Sequence, residues 1–353
     1  MYSFGNKLKI EIWGESHTPE IKAVVSGMPA GFHIDRGELL RFMKRRASGG
    51  KGTTPRREPD IPEFYAGAEN DVTTGGDVVI AVKNTNIKPS DYDNVRDVPR
   101  PGHADYTSYV KDGIIPSGGG KFSGRMTVLL CAAGGIAIQI LRERGIYIGA
   151  HAESVGGVLD RRFDPCHVTP EEFSAIAEKP FPVIDDKAGE EMLKTVDSAL
   201  RDRDSVGGVV ECAVCGFPKG VGGELFYGIE GRISSALFAI PAVKGVEFGI
   251  GFAAADIRGS ENNDPFFTDG KEVYTKTNNC GGILGGISDG MPLIFRMAVK
   301  PTPSIGKAQE SVSLSRMENC EIQIHGRHDA CIVPRAVPVA EAVTALALLD
   351  LIL

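Results

Sequence analysis

The sequence predicts an α+β fold with antiparallel sheets, and three features of its patterning carry that prediction. Seven short runs have the alternating or continuous apolar character of strands: 8–13, 21–25, 78–82, 146–152, 209–214, 246–252 and 293–299. The helical patterns among them do not alternate with strands one for one, as a doubly wound parallel sheet requires. Stretches without a clear period, such as 47–62 and 258–284, are too long for ordinary connections and read as functional loops.

Each helix has its own local reason. Asp35 can accept a hydrogen bond at the start of a helix over 36–46, with Leu39, Leu40 and Met43 on one face. A longer helix over 124–144 carries Met126, Leu129, Leu130, Ile136, Ile138 and Ile140, and reads as buried. Thr169 followed by Pro170, Glu171 and Glu172 is a helix start, with proline where the missing N–H costs nothing. Met192, Val196, Ala199 and Leu200 recur at helical spacing over 187–203, and a shorter helix covers 233–240. The run 337–353 closes the chain as a core helix, too short for a membrane span and interrupted by Glu341 and Asp350. No repeat or linker divides the sequence, so one domain over 1–353 is expected.

Composition excludes several classes. Charged residues at 24% and apolar residues at 42% rule out a disordered tail or a fibrous protein. Lys and Arg total 39 against 46 Asp and Glu, and the net charge of -7 argues against nucleic-acid partners. Glycine, 44 of 353 residues, is well above the usual ~7% and gathers in loop clusters where bare backbone can approach a ligand. The N-terminus lacks an apolar stretch of signal-peptide length, so a soluble, cytoplasmic protein with no membrane partner is expected. Seven cysteines, an odd and scattered set, fit reduced thiols. Cys212 and Cys215, inside the strand-like GVVECAVCGF, read as strand residues rather than as a redox or zinc pair.

Three segments concentrate the chemistry. Arg36, Arg41, Lys44, Arg45, Arg46, Lys51, Arg56 and Arg57 crowd one window with only Glu38 against them, and the window runs into SGGKGTTPRR. Clustered guanidinium groups beside flexible backbone suit carboxylate and phosphate ligands, although a solvated surface patch would also produce the cluster. Gly118–Gly119–Gly120–Lys121–Phe122–Ser123–Gly124–Arg125 precedes the buried helix, a junction able to bind anions, yet it lacks P-loop spacing. His17 and His103 stand in turn-like contexts beside Ser16, Arg100 and Asp105, where an imidazole can transfer protons near neutral pH. Their spacing excludes zinc chemistry of the HExxH kind and no metal site is expected; adjacent Ser16 and His17 do not form a nucleophile elbow.

These segments, in this order, closely resemble the chorismate synthase family. The matching residues are GESH at 14–17, RRASGGKGTTPRREPD at 45–60, RPGHADY at 100–106 and GGGKFSGR at 118–125. They continue with AVKGVEFGIGF at 242–252, GGILGGISDG at 281–290, KPTPSI at 300–305 and GRHDACIVPRAVPVAEA at 326–342. The resemblance implies a β-α-β sandwich, with a helical core between antiparallel sheets, and a homotetramer. It implies a lyase of aromatic amino-acid biosynthesis, the last common step of the shikimate pathway. The reaction is a 1,4-anti elimination of phosphate from 5-enolpyruvylshikimate 3-phosphate, giving chorismate. Reduced FMN is required, supplied by an external flavin reductase or reduced with NADPH by the chain itself.

By the same resemblance, His17 protonates the departing phosphate and His103 donates a proton at the flavin, with Ser16 and Asp329 as relay partners. Arg45, Lys51, Arg100 and Arg125 correspond to substrate-binding cations. Flavin contacts are implied for Lys121, Phe122, Ser123, Pro241, Ala242, Gly285, Lys300, Pro301, Thr302, Pro303, Ser304 and Arg327. The chain departs from the family pattern at Thr18, Lys51, Lys121–Phe122, Met126, Pro241 and Ala330, so the flavin contacts carry most of the variation. A divergent member that binds FMN without turnover, or a flavin reductase, are the alternatives to the lyase.

Overall fold

The computed structural model describes residues 2–49, 58–86, 95–324 and 329–353. Two antiparallel five-stranded sheets enclose a layer of helices. The first sheet takes β1 (Tyr2–Phe4), β2 (Lys9–Trp13), β3 (Glu20–Ser26) and β4 (Glu63–Ala66); after a small hairpin, β5 (Ala68–Glu69) and β6 (Val72–Thr73), it is completed by β7 (Val78–Lys83). Its order is β1-β2-β3-β7-β4. The second sheet takes β8 (Tyr147–Val155), β9 (Val158–Leu159), β10 (Gly208–Cys215) and β11 (Val243–Phe248). Two hairpins follow, β12 (Phe266–Thr268) with β13 (Val273–Thr275) and β14 (Ile283–Leu284) with β15 (Ile287–Ser288), before β16 (Leu293–Val299) completes the order β11-β16-β10-β8-β9. A last hairpin pairs β17 (Ala308–Ser313) with β18 (Glu318–Gln323).

The helices are α1 (Arg36–Arg46), α2 (Asp105–Asp112), α3 (Thr127–Glu143), α4 (Pro170–Ala177), α5 (Asp186–Arg201), α6 (Ile229–Phe238), α7 (Gly259–Asn262) and α8 (Val333–Ile352). α3 packs on β3 and β7 of the first sheet, α8 packs on β8 and β10 of the second, and the two helices pack on each other. The alternation of β3 sends Ile21, Ala23 and Val25 inward, where all three lose their solvent exposure. Close approach of the helices depends on Gly134 and Gly135. A Cβ at Gly134 would stand 2.5 Å from the Cβ of Ala342, and one at Gly135 would stand 2.6 Å from Leu39 Cδ1.

α1 covers the predicted 36–46, with Asp35 Oδ1 accepting from the Glu38 N–H at 2.8 Å. The predicted 124–144 helix begins as a 3₁₀ turn, Gly124–Met126, before α3. α8 starts earlier than the predicted 337 because Pro334 sits in its first turn, where no backbone donor is required. Strand β11 ends at Phe248 rather than 252, since Gly249 and Gly251, at φ 57° and 60°, turn the chain there. The short helix α2 and the β17–β18 hairpin were not predicted. Cys212 faces the helical layer from β10, while Cys215 packs in a second apolar cluster with Phe163 and Phe173.

The two acids of α8 both have distant partners. Glu341 forms a two-point ion pair with Arg45, at 2.5 and 2.7 Å, and accepts the Ala150 N–H at 3.0 Å. Asp350 Oδ1 gathers the N–H groups of Asn6, Lys7 and Leu8 at 2.7 to 2.9 Å, tying the end of the chain to its beginning. On the second sheet, His151, Glu211, Arg296 and Glu247 occupy register-matched positions across β8, β10, β16 and β11. The His151 imidazole lies 3.1 Å from Asp160 Oδ2 and 3.0 Å from Glu211 Oε2, fully buried.

Candidate active site

The end of α1, the 3₁₀ turns before α3, the turn from α6 into β11, the loop at 300–304 and the start of α8 leave a cavity of about 660 Å³ between them. Its floor is a buried ion cluster. Asp60 receives Arg46 Nη1 on one oxygen, at 2.7 Å, and Arg125 Nη1 on the other. Arg125 also reaches Glu58 at 2.8 Å and Asn84 Oδ1 at 2.8 Å, while Arg46 reaches Thr127 Oγ1 at 3.0 Å. Asp60 takes a left-handed backbone, φ 48°, a conformation that Asp tolerates better than most residues. Burial, and then the neighbouring charge of Arg335, pull the Arg46 guanidinium down to about 10.

One wall is the glycine run before Lys121. Gly118, Gly119 and Gly120 all have positive φ, at 61°, 88° and 49°. Gly118 rests against the His17 imidazole, and Gly119 against the Cε1–Nε2 edge of His103, where an added Cβ would stand 3.3 Å away. Ser16 anchors this wall: its N–H donates to Gly120 O at 3.2 Å, and its hydroxyl lies 2.9 Å from His17 Nδ1. Thr18, unusual for the turn it occupies, explains itself here. Its hydroxyl lies 2.8 Å from the carbonyls of both Glu15 and Glu20 and accepts the Glu15 N–H at 3.1 Å, closing the turn.

His103 is held from behind. Its Nδ1 lies 2.5 Å from Asp105 Oδ1, and Asp105 also accepts Arg100 through Nε at 2.7 Å and Nη2 at 2.8 Å. Burial opposes ionisation of Asp105, but the hydrogen bonds from Arg100 and His103 outweigh it and hold the carboxyl well below the usual range. Arg100 Nη1 donates onward to Ser304 Oγ at 3.1 Å. Facing these, Lys300 donates to the Gly102 carbonyl. Its ammonium is disfavoured, first by burial and then by the charge of Lys244. Asp329 lies 2.5 Å from Arg335 Nη1.

Among the described residues, seven cationic side chains and three carboxylates line the cavity, beside an apolar strip that includes Phe238, Ile240, Val243 and Ile332. Such a wall suits a planar or alicyclic ligand carrying several negative charges, with imidazole Nε2 available for proton transfer.

Comparison with known proteins gives the same direction. The chorismate synthase family profile matches residues 8–353. The chain belongs to the chorismate synthase family. A chorismate synthase of Dehalococcoides mccartyi is 45% identical over 99% of this chain and 96% of its own length. One from Thermococcus kodakarensis is 42% identical over 98% of this chain and 96% of its own length. A crystal structure of chorismate synthase superposes with a TM-score of 0.76 at 26% identity, covering 98% of this chain and 92% of the other. The chain is thus an enzyme, a carbon–oxygen lyase of aromatic amino-acid biosynthesis, and the α+β sandwich matches its relatives.

The structure brings most of the family-matched positions together. His103, Arg100, Arg125, Lys121, Phe122, Ser123 and Asp329 line the cavity, as do Pro241, Ala242, Lys300, Thr302, Pro303 and Ser304. Pro241 and Ala242 form the turn from α6 into β11, with Ala242 at φ 76° and its carbonyl accepting the Lys300 N–H at 3.0 Å. Ser16 and His17 stand one layer back, behind Gly118. Pro301 is turned away from the cavity. Arg45 borders a second cavity of about 890 Å³ and spends its guanidinium on Glu341. Gly285 sits in the β14–β15 turn, off both cavity walls. Lys51 and Arg327 lie outside the described residues.

Sequence reasoning did not assign Arg46, Glu58, Asp60, Asp105, Lys244 or Arg335, all of them in or directly behind the wall. Signals existed: Glu58 and Asp60 end the basic window, Asp105 follows His103 by two residues, and Arg335 stands within the last matched motif.

Proposed function

We propose that this chain eliminates phosphate from 5-enolpyruvylshikimate 3-phosphate in a 1,4-anti sense to give chorismate, with reduced FMN bound in the same cavity. The carrying observation is the excess of cations over carboxylates on that wall, including a Lys300 ammonium disfavoured by burial and by the charge of Lys244. The substrate has two carboxylates and a phosphate, and desolvating such an ion requires clustered cations. Arg46, Arg125 and Arg335 supply fixed charge at the floor, and Lys300 and Lys244 supply it at the rim.

The flavin fits the cavity's second character. The apolar strip can face a fused ring, and Lys121–Ser123, Pro241–Ala242 and Lys300–Ser304 would hold its polar edge and phosphate. Reduced FMN held there would supply electron density to the allylic system and a site for the C6 hydrogen. The protein's own part is orientation and protons. His103 exchanges protons through Nε2 on the wall, and His17, reached past Gly118, protonates the departing phosphate with Ser16 fixing its ring. Asp329 serves as a relay group, steadied by Arg335. An external flavin reductase, drawing on NADPH, supplies the reduced cofactor in this reading.

The same reading takes the chain as a cytoplasmic homotetramer. Leu225, Phe226, Phe252 and Phe266 are largely exposed, in two 3₁₀ turns and in β12; exposed large apolar side chains favour burial between copies. Among the described residues one stretch, Gly124–Glu143, is long and apolar enough to cross a membrane, and it is a buried core helix. Gel filtration at four times the chain mass supports the tetramer; a persistent monomer removes it.

Inorganic phosphate release tests the activity. Under anaerobic conditions with chemically reduced FMN, phosphate and chorismate should appear in equal amounts, and oxidised FMN should give none. FMN binding without phosphate release would overturn the assignment.

A further inference from the structure

Among the described residues, Asp105 is the one fully buried carboxylate in contact with a cavity imidazole, and its four hydrogen bonds leave it little latitude. It opens α2, accepts the Arg100 backbone N–H at 3.0 Å and Nε at 2.7 Å on Oδ2, and takes Arg100 Nη2 at 2.8 Å and His103 Nδ1 at 2.5 Å on Oδ1.

We propose that Asp105 is a positioning residue that fixes His103 as the Nδ1–H tautomer, so that every proton His103 exchanges passes through Nε2 at the Gly119 wall. This rests on the assignment of His103 to proton transfer. An ionised carboxylate only accepts hydrogen bonds, so the 2.5 Å contact requires a proton on Nδ1. Arg100 Nη2 is also 3.1 Å from Nδ1, but it too is only a donor and cannot donate to a protonated nitrogen. The two groups are neighbours because both bind Oδ1.

Arg100 matters differently from a substrate cation. Its Nε and Nη2 are committed to Asp105 and its Nη1 to Ser304, so it neutralises the carboxylate and braces its geometry. The dyad has a short-range sequence origin. Arg100, His103 and Asp105 fall within one turn, closed by the His103 N–H donating to Arg100 O at 3.2 Å, and α2 then locks Asp105 in place. A histidine side chain in water favours the Nε2–H form, so Asp105 imposes the less common tautomer on the His103 ring.

The test is long-range ¹H–¹⁵N correlation spectroscopy on the full-length protein with ¹⁵N-labelled histidine, the His103 signals being identified by their loss in His103→Gln. The expected wild-type pattern, recorded at a pH where the ring is neutral, is a protonated Nδ1 and an unprotonated Nε2. Asp105→Asn, whose amide can donate to Nδ1, should shift His103 to the Nε2–H pattern and lower phosphate release by ~10²–10⁴-fold. An Nε2–H pattern in the wild type overturns the proposal, and so does Asp105→Asn with unchanged tautomer or unchanged turnover. If Asp105→Asn fails to fold, the wild-type spectrum decides alone. The spectrum needs no turnover, so a chain with the Nδ1–H pattern that releases no phosphate would refute the proposed reaction and leave the tautomer assignment standing.

Discussion

Gly118 lies so close to His17 that a Cβ built on it would stand 1.8 Å from the His17 Cε1 atom. The contact fixes the ring between the glycine run and Ser16, and it exists only because Gly118 has a φ of 61° and no side chain. Gly118→Ala should therefore expel the His17 imidazole and cost about 1–2 kcal/mol of backbone strain. We expect turnover to fall toward that of His17→Ala, a loss of ~10²–10⁴-fold for a general acid. Anaerobic phosphate-release rates of the two variants, with denaturation midpoints, check this; Gly118→Ala at wild-type rate would separate His17 from the chemistry.

The Lys300 ammonium at the cavity is disfavoured by burial and then by Lys244. A bound phosphate or carboxylate relieves both effects. Lys300→Met should weaken FMN binding by roughly tenfold to a hundredfold, the scale of one charge-assisted hydrogen bond. Fluorescence titration measures it, and unchanged affinity would place the anion elsewhere.

The Arg45–Glu341 pair joins α1 to α8 with little solvent access on the Glu341 side. Glu341→Gln leaves a buried guanidinium without its counter-charge, which costs about 3–5 kcal/mol when a buried pair is broken from one side. Urea unfolding should show that loss. A change within experimental error would mean that water or another acid compensates.

His151 contributes to stability with a definite pH sign. Burial opposes its charge, but the hydrogen bonds its ring donates to Asp160 and Glu211 dominate and raise its pKa above the ordinary imidazole value. A raised value means the folded state binds the proton more tightly than the unfolded one. The stabilisation is therefore complete below the unfolded value, near ~6.5, and declines as pH rises through the higher folded value. His151→Gln should show a flatter fall in unfolding free energy between mildly acidic and mildly alkaline pH; parallel curves would refute the charged form.

Much of this architecture was legible because the core elements are strongly patterned. The alternation of 21–25 and the Asp35 cap of 36–46 are local signals, and both elements form where those signals stand. The two acids of the last helix were visible as interruptions, but their partners are Arg45 and the N–H groups of residues 6–8, hundreds of residues away in sequence. No local pattern reports such pairing. For the same reason the basic window did not reveal which arginine faces the cavity: Arg45 and Arg46 are adjacent, yet helix rotation sends one to Glu341 and the other to Asp60. The site motifs were recognisable as a set, while the tautomer-fixing role of Asp105 emerged only from distances.

The most direct test of the whole account is a crystal structure with 5-enolpyruvylshikimate 3-phosphate and FMN both bound. The account places the substrate's anionic groups within hydrogen-bond reach of Arg125, Lys300 or their cavity neighbours, with His103 Nε2 facing a ligand atom. Density for both molecules in the second cavity, beside Arg45 and away from His103, would contradict it.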